Sequence, residues 1–282
     1  MTRQTIYTLI FNAVGVLIGL TVIGYVINSL VFTETEPSCS ARYPAPLRFS
    51  LHTRHGAVMS PIELQARVGL NEWGINENAH VVEAAEAPGG AALAVKLATV
   101  PEVESGNGRP ANGVSFRWTP AGVRNASAAC LSYELWLPDD FAFGDGGLLP
   151  GPFGGPLGAA TSDPSSTERF AARVQWRRGD EGSFDVASTG ATGYVSVNQR
   201  GIPLPKGRWM RIEQELVLNT PGVADGVVRM WLDGALKAES THMALRKDES
   251  EKILGVLAGI GYFRAPAKPG MLRISPFELA WK

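Results

Sequence analysis

The sequence is poor in the groups that usually advertise a reaction. Over 282 residues it has two cysteines, Cys39 and Cys130, and four scattered histidines, His52, His55, His80 and His242. No CxxC pair and no Cys/His cluster with metal-ligand spacing occurs, so no metal site is expected. His52 and His55 are read as residues of a solvated loop. Asp139, Asp140 and Asp145 are read as turn-capping carboxylates rather than calcium ligands. An excess of charge of one sign is also missing. The 26 Lys and Arg against 27 Asp and Glu give a net charge of −1, which leaves no basic footprint for nucleic acid. No nucleotide loop, serine-nucleophile elbow or dinucleotide fingerprint appears, and no cofactor is expected. Internal repeats and long amphipathic helix patterns are absent as well.

One long apolar run is present. Residues 6–32 contain no Asp, Glu, Lys or Arg, and about 20 apolar residues suffice to span a bilayer. A signal-peptide core is shorter, about 7–15 residues, and ends in a small-residue cleavage site. The run therefore reads as an uncleaved single transmembrane α-helix over 6–32, between a cytoplasmic N-terminus (1–5) and a tether (33–46). Arg3 precedes it, and Glu34 and Glu36 follow. By the positive-inside tendency the N-terminus faces in, and the large domain is periplasmic or extracellular on the inner (cytoplasmic) membrane. Gly15 and Gly19 form a GxxxG pair, Gly24 follows, and Asn12 lies near one end. Small residues permit close helix approach, and an amide in lipid seeks a partner. Other integral membrane subunits are the expected partners. On the oxidising side, Cys39 and Cys130 have two open readings: a disulfide tying tether to domain, or a buried free thiol at Cys130.

The rest, 47–282, is rich in glycine and proline, with 32 and 19 in the chain. Short alternating segments recur between turn signals. Examples are 113–118, 129–137 with Leu131, Tyr133, Leu135 and Leu137 on one face, 170–176, and two long strands around Asn219-Thr-Pro-Gly222. Asp233-Gly234 marks a hairpin. The pattern predicts an all-β, two-sheet antiparallel jelly-roll sandwich. Between 138 and 155, Phe141 and Phe143 are followed by six glycines and two prolines. That composition excludes a helix and predicts a shaped loop whose backbone approaches something closely.

Two blocks carry a family resemblance. The first is Pro138-Asp-Asp-Phe-Ala-Phe, Gly146-Gly-Leu-Leu-Pro-Gly151 and Gly154-Gly155, then a strand ending Arg173-Val-Gln-Trp176. The second is Gly207-Arg-Trp209, Leu218-Asn-Thr-Pro-Gly222 and Trp231-Leu-Asp-Gly234. Together they resemble the jelly-roll polysaccharide lyases that cut alginate and glucuronan, families 14 and 20, over roughly 47–282. A uronate lyase neutralises a carboxylate, removes the adjacent proton and protonates the leaving oxygen. The resemblance implies a Lys where Leu148 stands, a Ser at Ala171, an Arg at Arg173, and a Tyr-x-Tyr pair at Phe184 and Val186. Of these only Arg173 is retained, and on its own it reads as an ion-pair partner on the sheet.

These substitutions imply a degenerate site and lean against an enzyme. The expected function is a non-catalytic membrane-anchored subunit whose jelly roll packs on a larger complex. A photosynthetic or respiratory complex is a natural host, though nothing in the sequence selects one. The alternative is a tethered lyase or glycan-binding module for acidic polysaccharide, with Arg173, Gln175 and Tyr194 as contacts.

Overall fold

The computed structural model describes residues 7, 12–22, 36–69, 72–97, 113–157, 170–198, 200–264, 266, 268 and 270–282. It divides into two compact units, Met1–Glu36 and Pro37–Lys282.

In the first unit, 12–22 is helical. It exposes Val14, Val16, Leu17, Ile18, Leu20 and Val22. A side-chain carbon added at Gly15 or Gly19 would meet nothing within 4 Å, and Asn12 is exposed. Among the described residues no helix is long and apolar enough to cross a membrane. Most of the expected span, with Gly24, lies outside the described residues.

The second unit is built almost wholly of strands. In chain order they are β1 (Leu47–Arg48), β2 (Ala79–Glu83), β3 (Ala91–Lys96), β4 (Val114–Trp118), β5 (Ala128–Trp136), β6 (Gly147–Leu148), β7 (Gly151–Gly155), β8 (Phe170–Trp176), β9 (Glu181–Ala187), β10 (Val195–Ser196), β11 (Ile202–Pro203), β12 (Trp209–Val217), β13 (Gly226–Leu232), β14 (Ala235–Met243), β15 (Lys252–Tyr262), β16 (Met271–Ile274) and β17 (Glu278–Trp281). Three short helices precede the bulk of them: α1 (Cys39–Arg42), α2 (Pro61–Val68) and α3 (Ile75–Asn78). Among the described residues one sheet runs β14-β13-β12-β5-β16-β3-β2, with β17 on β5 and β1 on β17; the other runs β10-β9-β8-β6-β15-β4, with β7 and β11 added. All β5–β12 and β8–β9 pairs are antiparallel, as the sandwich reading requires.

Alternation explains the layering, because successive side chains of a strand face opposite ways. Leu131, Tyr133 and Leu135 of β5 and Met210, Ile212 and Leu216 of β12 face Phe170, Val174, Trp176, Phe184 and Ile260 of the other sheet in one buried core. The glycine-rich loop closes one end of it. Phe141 packs edge-on to Phe143 and Trp176 and stacks on Tyr262, whose hydroxyl donates to the Ala142 carbonyl. The partner that the glycines approach is the protein itself. A Cβ on Gly147 would lie 2.0 Å from the Trp176 ring and 2.3 Å from the Gly261 carbonyl oxygen.

The stretch 37–46 is docked rather than free. Cys39 is bonded to Cys130, in the middle of the first sheet. Tyr43 is 2% exposed and, with Cys39, Cys130 and Trp231, forms a small cluster on that sheet's outer face. A buried carboxylate holds it there. Glu215 accepts from Arg42 (2.8 Å), Arg229 (2.9 Å) and the Tyr43 hydroxyl (2.8 Å). Burial, and then the Glu215 carboxylate, push the Tyr43 phenol well above its ordinary range.

Candidate functional site

The site residues inferred from sequence fall on two different faces of the second sheet. On β8, Phe170, Ala172, Val174 and Trp176 belong to the core, so Ala171, Arg173 and Gln175 project from the outer face. Register extends that face. Ala171 lies opposite Ala187 and Phe153, Arg173 opposite Asp185, and Gln175 opposite Ser183 and Leu148. Leu148 lies opposite Gly261, Gly259 opposite Ser115, and Leu257 opposite Arg117. Phe184 and Val186 are on the other side, within the core. The expected tyrosine-pair positions therefore do not share the Arg173 face. The β9 residues that share the Arg173 face are Ser183, Asp185 and Ala187.

Arg173 is 4% exposed. Its Nε donates to the Leu149 carbonyl (3.0 Å) and one Nη to the Gly259 carbonyl (2.5 Å). The ion-pair role expected for it is not what the structure shows. Carbonyls of two neighbouring strands hold it, and Asp185 pairs with Arg177 instead (2.5 Å) and accepts from Ser183 (3.0 Å). Gln175 is also 4% exposed, and no side-chain hydrogen bond of it is found among the described residues. Tyr194, 42% exposed, immediately precedes β10. One step beyond the Val195–Val186 pair it stands beside Ala187, at the sheet edge.

Beside these polar groups the face carries an apolar patch of Phe153, Ala171, Leu254 and Leu257, all buried. The Arg117 guanidinium lies over the Phe153 ring at 5.7 Å, and Arg117 is 5% exposed. Chemically, the face offers two guanidiniums, one amide, the Ser115 and Ser183 hydroxyls, and a carboxylate whose Oδ2 is paired with Arg177 and whose Oδ1 is buried without a partner among the described residues. No Tyr, His or Lys is among the β4, β6, β8, β9 and β15 residues paired on this face above.

The metal alternatives are not assembled here. Asp145 is taken by Arg178. Among the described residues the single group of three close potential ligands is Cys39, Cys130 and Glu213, and its thiols are joined to each other.

A family model described as polysaccharide lyase 14 matches residues 88–262. The chain belongs to that family. Its fold is shared by solved structures at low identity. A marine alginate lyase of that family from Aplysia kurodai is 20% identical, over 76% of this chain and 90% of that one, with a TM-score of 0.59. An alginate lyase from a Chlorella virus is 17% identical over 72% and 89%, with a TM-score of 0.57. An endo-β-1,4-glucuronan lyase from Trichoderma reesei is 12% identical over 77% and 90%, with a TM-score of 0.53. No curated protein sequence matches. The lyase-14 match thus begins after α2 and α3.

One local signal was missed in the sequence. Ser60-Pro-Ile-Glu63 is a capping box. Ser60 Oγ accepts from the Glu63 amide, the Glu63 carboxylate accepts from the Ser60 amide, and Pro61 opens α2. Serine with Glu three residues on, and Pro first in the helix, was enough to place it.

Proposed function

We propose that this lyase-14 chain is a membrane-anchored subunit that holds rather than cuts. The observation that carries the reading is the burial of the sheet face where a cleft would be. Arg117, Arg173 and Gln175 are each 5% exposed or less. A polyuronate needs a cation at its carboxylate and a base at the neighbouring carbon, both open to it. The cations here are covered, the Leu148 and Ala171 side chains offer no polar atom, and the nearest carboxylate, Asp185, pairs with Arg177 through Oδ2 while its Oδ1 is buried without a hydrogen-bond partner among the described residues. For the anchor, the support is the uncharged run 6–32 and the exposed apolar surface of 12–22. Such a surface is best placed in lipid or against a partner helix.

Two measurements test this. The full chain given alginate or glucuronan yields no unsaturated product by ultraviolet absorbance. Detergent extraction from the native membrane yields it with other integral membrane subunits; isolation as a lone monomer would sink the proposal. A working lyase of altered residues is the second reading, favoured by Arg173 and Asp185 facing one another across β8 and β9. It requires unsaturated product that disappears in Arg173→Ala.

A further inference from the structure

The helices that precede the lyase-14 match, α2 and α3, line a pocket with the connection between them. Gln65 from α2, Glu72, Trp73 and Gly74 from the connection, and Asn76, Glu77 and Asn78 from α3 line it. Its framework is rigid. Gln65 Nε2 donates to Glu72 (2.6 Å), the Ile75 amide donates to the other Glu72 oxygen (3.2 Å), and Asn76 Nδ2 donates to Gln65 (2.8 Å). Trp73 is fixed through its backbone: its amide donates to the Ser115 carbonyl (2.7 Å) and its carbonyl accepts from the Ser115 amide (2.9 Å). Gly74 makes the turn behind it at φ +76°, where a Cβ would stand 2.2 Å from the Gly113 carbonyl oxygen.

The Trp73–Ser115 pair is an antiparallel bridge, so both side chains face the same way. Ser115 shares the face of Gly259. The indole therefore stands at the margin of the buried sheet face, about 10 Å, or two strand spacings, from Gly259. Unlike that face, the pocket is open: Trp73, Glu72 and Asn78 are half-buried, and Asn76 and Glu77 are exposed.

What the framework leaves over decides the ligand. The Trp73 indole N–H, the Asn76 and Asn78 amide oxygens and the Glu77 carboxylate make no hydrogen bond among the described residues. Trp73 thus brings an indole with its N–H donor, Gln65, Asn76 and Asn78 each keep a second amide N–H, and Asn76, Asn78 and Glu77 supply acceptors. Among the described residues no Lys or Arg lines the pocket, and two carboxylates do. Hydroxyl groups donate to such acceptors, and the C–H face of a pyranose packs on an indole. A uronate would meet like charge with no cation to offset it.

We infer that the Trp73 pocket binds a pyranose without a carboxylate, a substrate class different from the uronates cut by the lyases that share this fold. The site is independent of whether the sheet face is closed, so its failure would leave the proposed function untouched.

The test uses the full chain in a detergent without a sugar headgroup, titrated calorimetrically. The probes are cello-oligosaccharide, glucosamine oligosaccharide and alginate-derived oligouronate. Cello-oligosaccharide is expected to bind, and Trp73→Ala to weaken it about tenfold, the upper end of a single aromatic contact. Glucosamine oligosaccharide should lose affinity in Glu77→Gln, because its ammonium pairs with that carboxylate, while cello-oligosaccharide changes less. Glu77 is exposed, so this variant keeps the test alive if Trp73→Ala melts at lower temperature. Absence of binding by both non-uronate probes overturns the inference. So does cello-oligosaccharide affinity unchanged in a folded Trp73→Ala, or oligouronate as the tightest Trp73-dependent ligand.

Discussion

At the scale of the residue, two positions carry more than their size suggests. Glu215 is a carboxylate at 2% exposure with two arginines and a phenol on it. Glu215→Gln leaves Arg42 and Arg229 without their shared anion. We expect a loss of about 3–5 kcal/mol, the range for breaking a buried pair, read as a lower urea midpoint. Tyr43→Phe removes one hydrogen bond and should cost about 1 kcal/mol. Gly147 is the second position. Gly147→Ala drives a methyl into Trp176 and the Gly261 carbonyl, and overpacking of this kind costs about 1–3 kcal/mol, visible as a drop in Tm. That glycine was legible in the sequence as a close approach. Its partner was not, because a glycine records that space is short, not what fills it. Arg173 was read from the sequence as an ion-pair partner; its carbonyl partners come from β15 and the 148–151 turn, which only the register brings together.

At the scale of the element, strands were read with small errors, and the Leu131, Tyr133, Leu135 and Leu137 face lies in the core as expected. The segments 113–118, 129–137 and 170–176 fall within a residue of β4, β5 and β8, since alternation and turn residues are local signals. Which of two adjacent residues faces the core depends on the neighbouring strand, so the sequence did not show that Phe184 and Val186 belong to the core. The buried tyrosines give the sheets a common response to alkali. Burial is the leading cause that raises Tyr43 and Tyr133 beyond their ordinary range and pushes Tyr262 up to about 12. An unfolded tyrosine ionises near pH ~10, so above that pH the unfolded chain holds fewer protons than the folded one, and stability falls as pH rises. The contribution is complete below pH ~10 and should be lost from there through about 12. A urea midpoint measured against pH checks this, and Tyr262→Phe should flatten the curve. For α2, Ser60→Ala removes the cap and should cost about 1 kcal/mol, seen as faster amide exchange in 61–68.

At the scale of the whole molecule, the sandwich and its family were written in composition and in two long blocks, and the burial of Arg117, Arg173 and Gln175 was not. The apolar patch beside them needs residues distant in sequence to meet: Phe153, Leu254 and Leu257 come from two separate strands around Ala171. Reduction of Cys39–Cys130 opens a loop of 91 residues, and losses of about 2–5 kcal/mol are usual for such bonds. We expect a lower Tm under reductant, and the same shift in Cys130→Ser without reductant.

The same bond has a mechanical side. A pull on the N-terminal unit would otherwise reach the domain through β1, two residues paired to the margin of the sheet. Because Cys39 is joined covalently to Cys130, the load enters at β5, a nine-residue strand with β12 on one side and β16 and β17 on the other. Tension is then shared by shear across many hydrogen bonds at once, instead of unzipping them one by one from an edge. A domain tethered this way resists being peeled from its N-terminus, and its weakest direction of loading is from the C-terminal end.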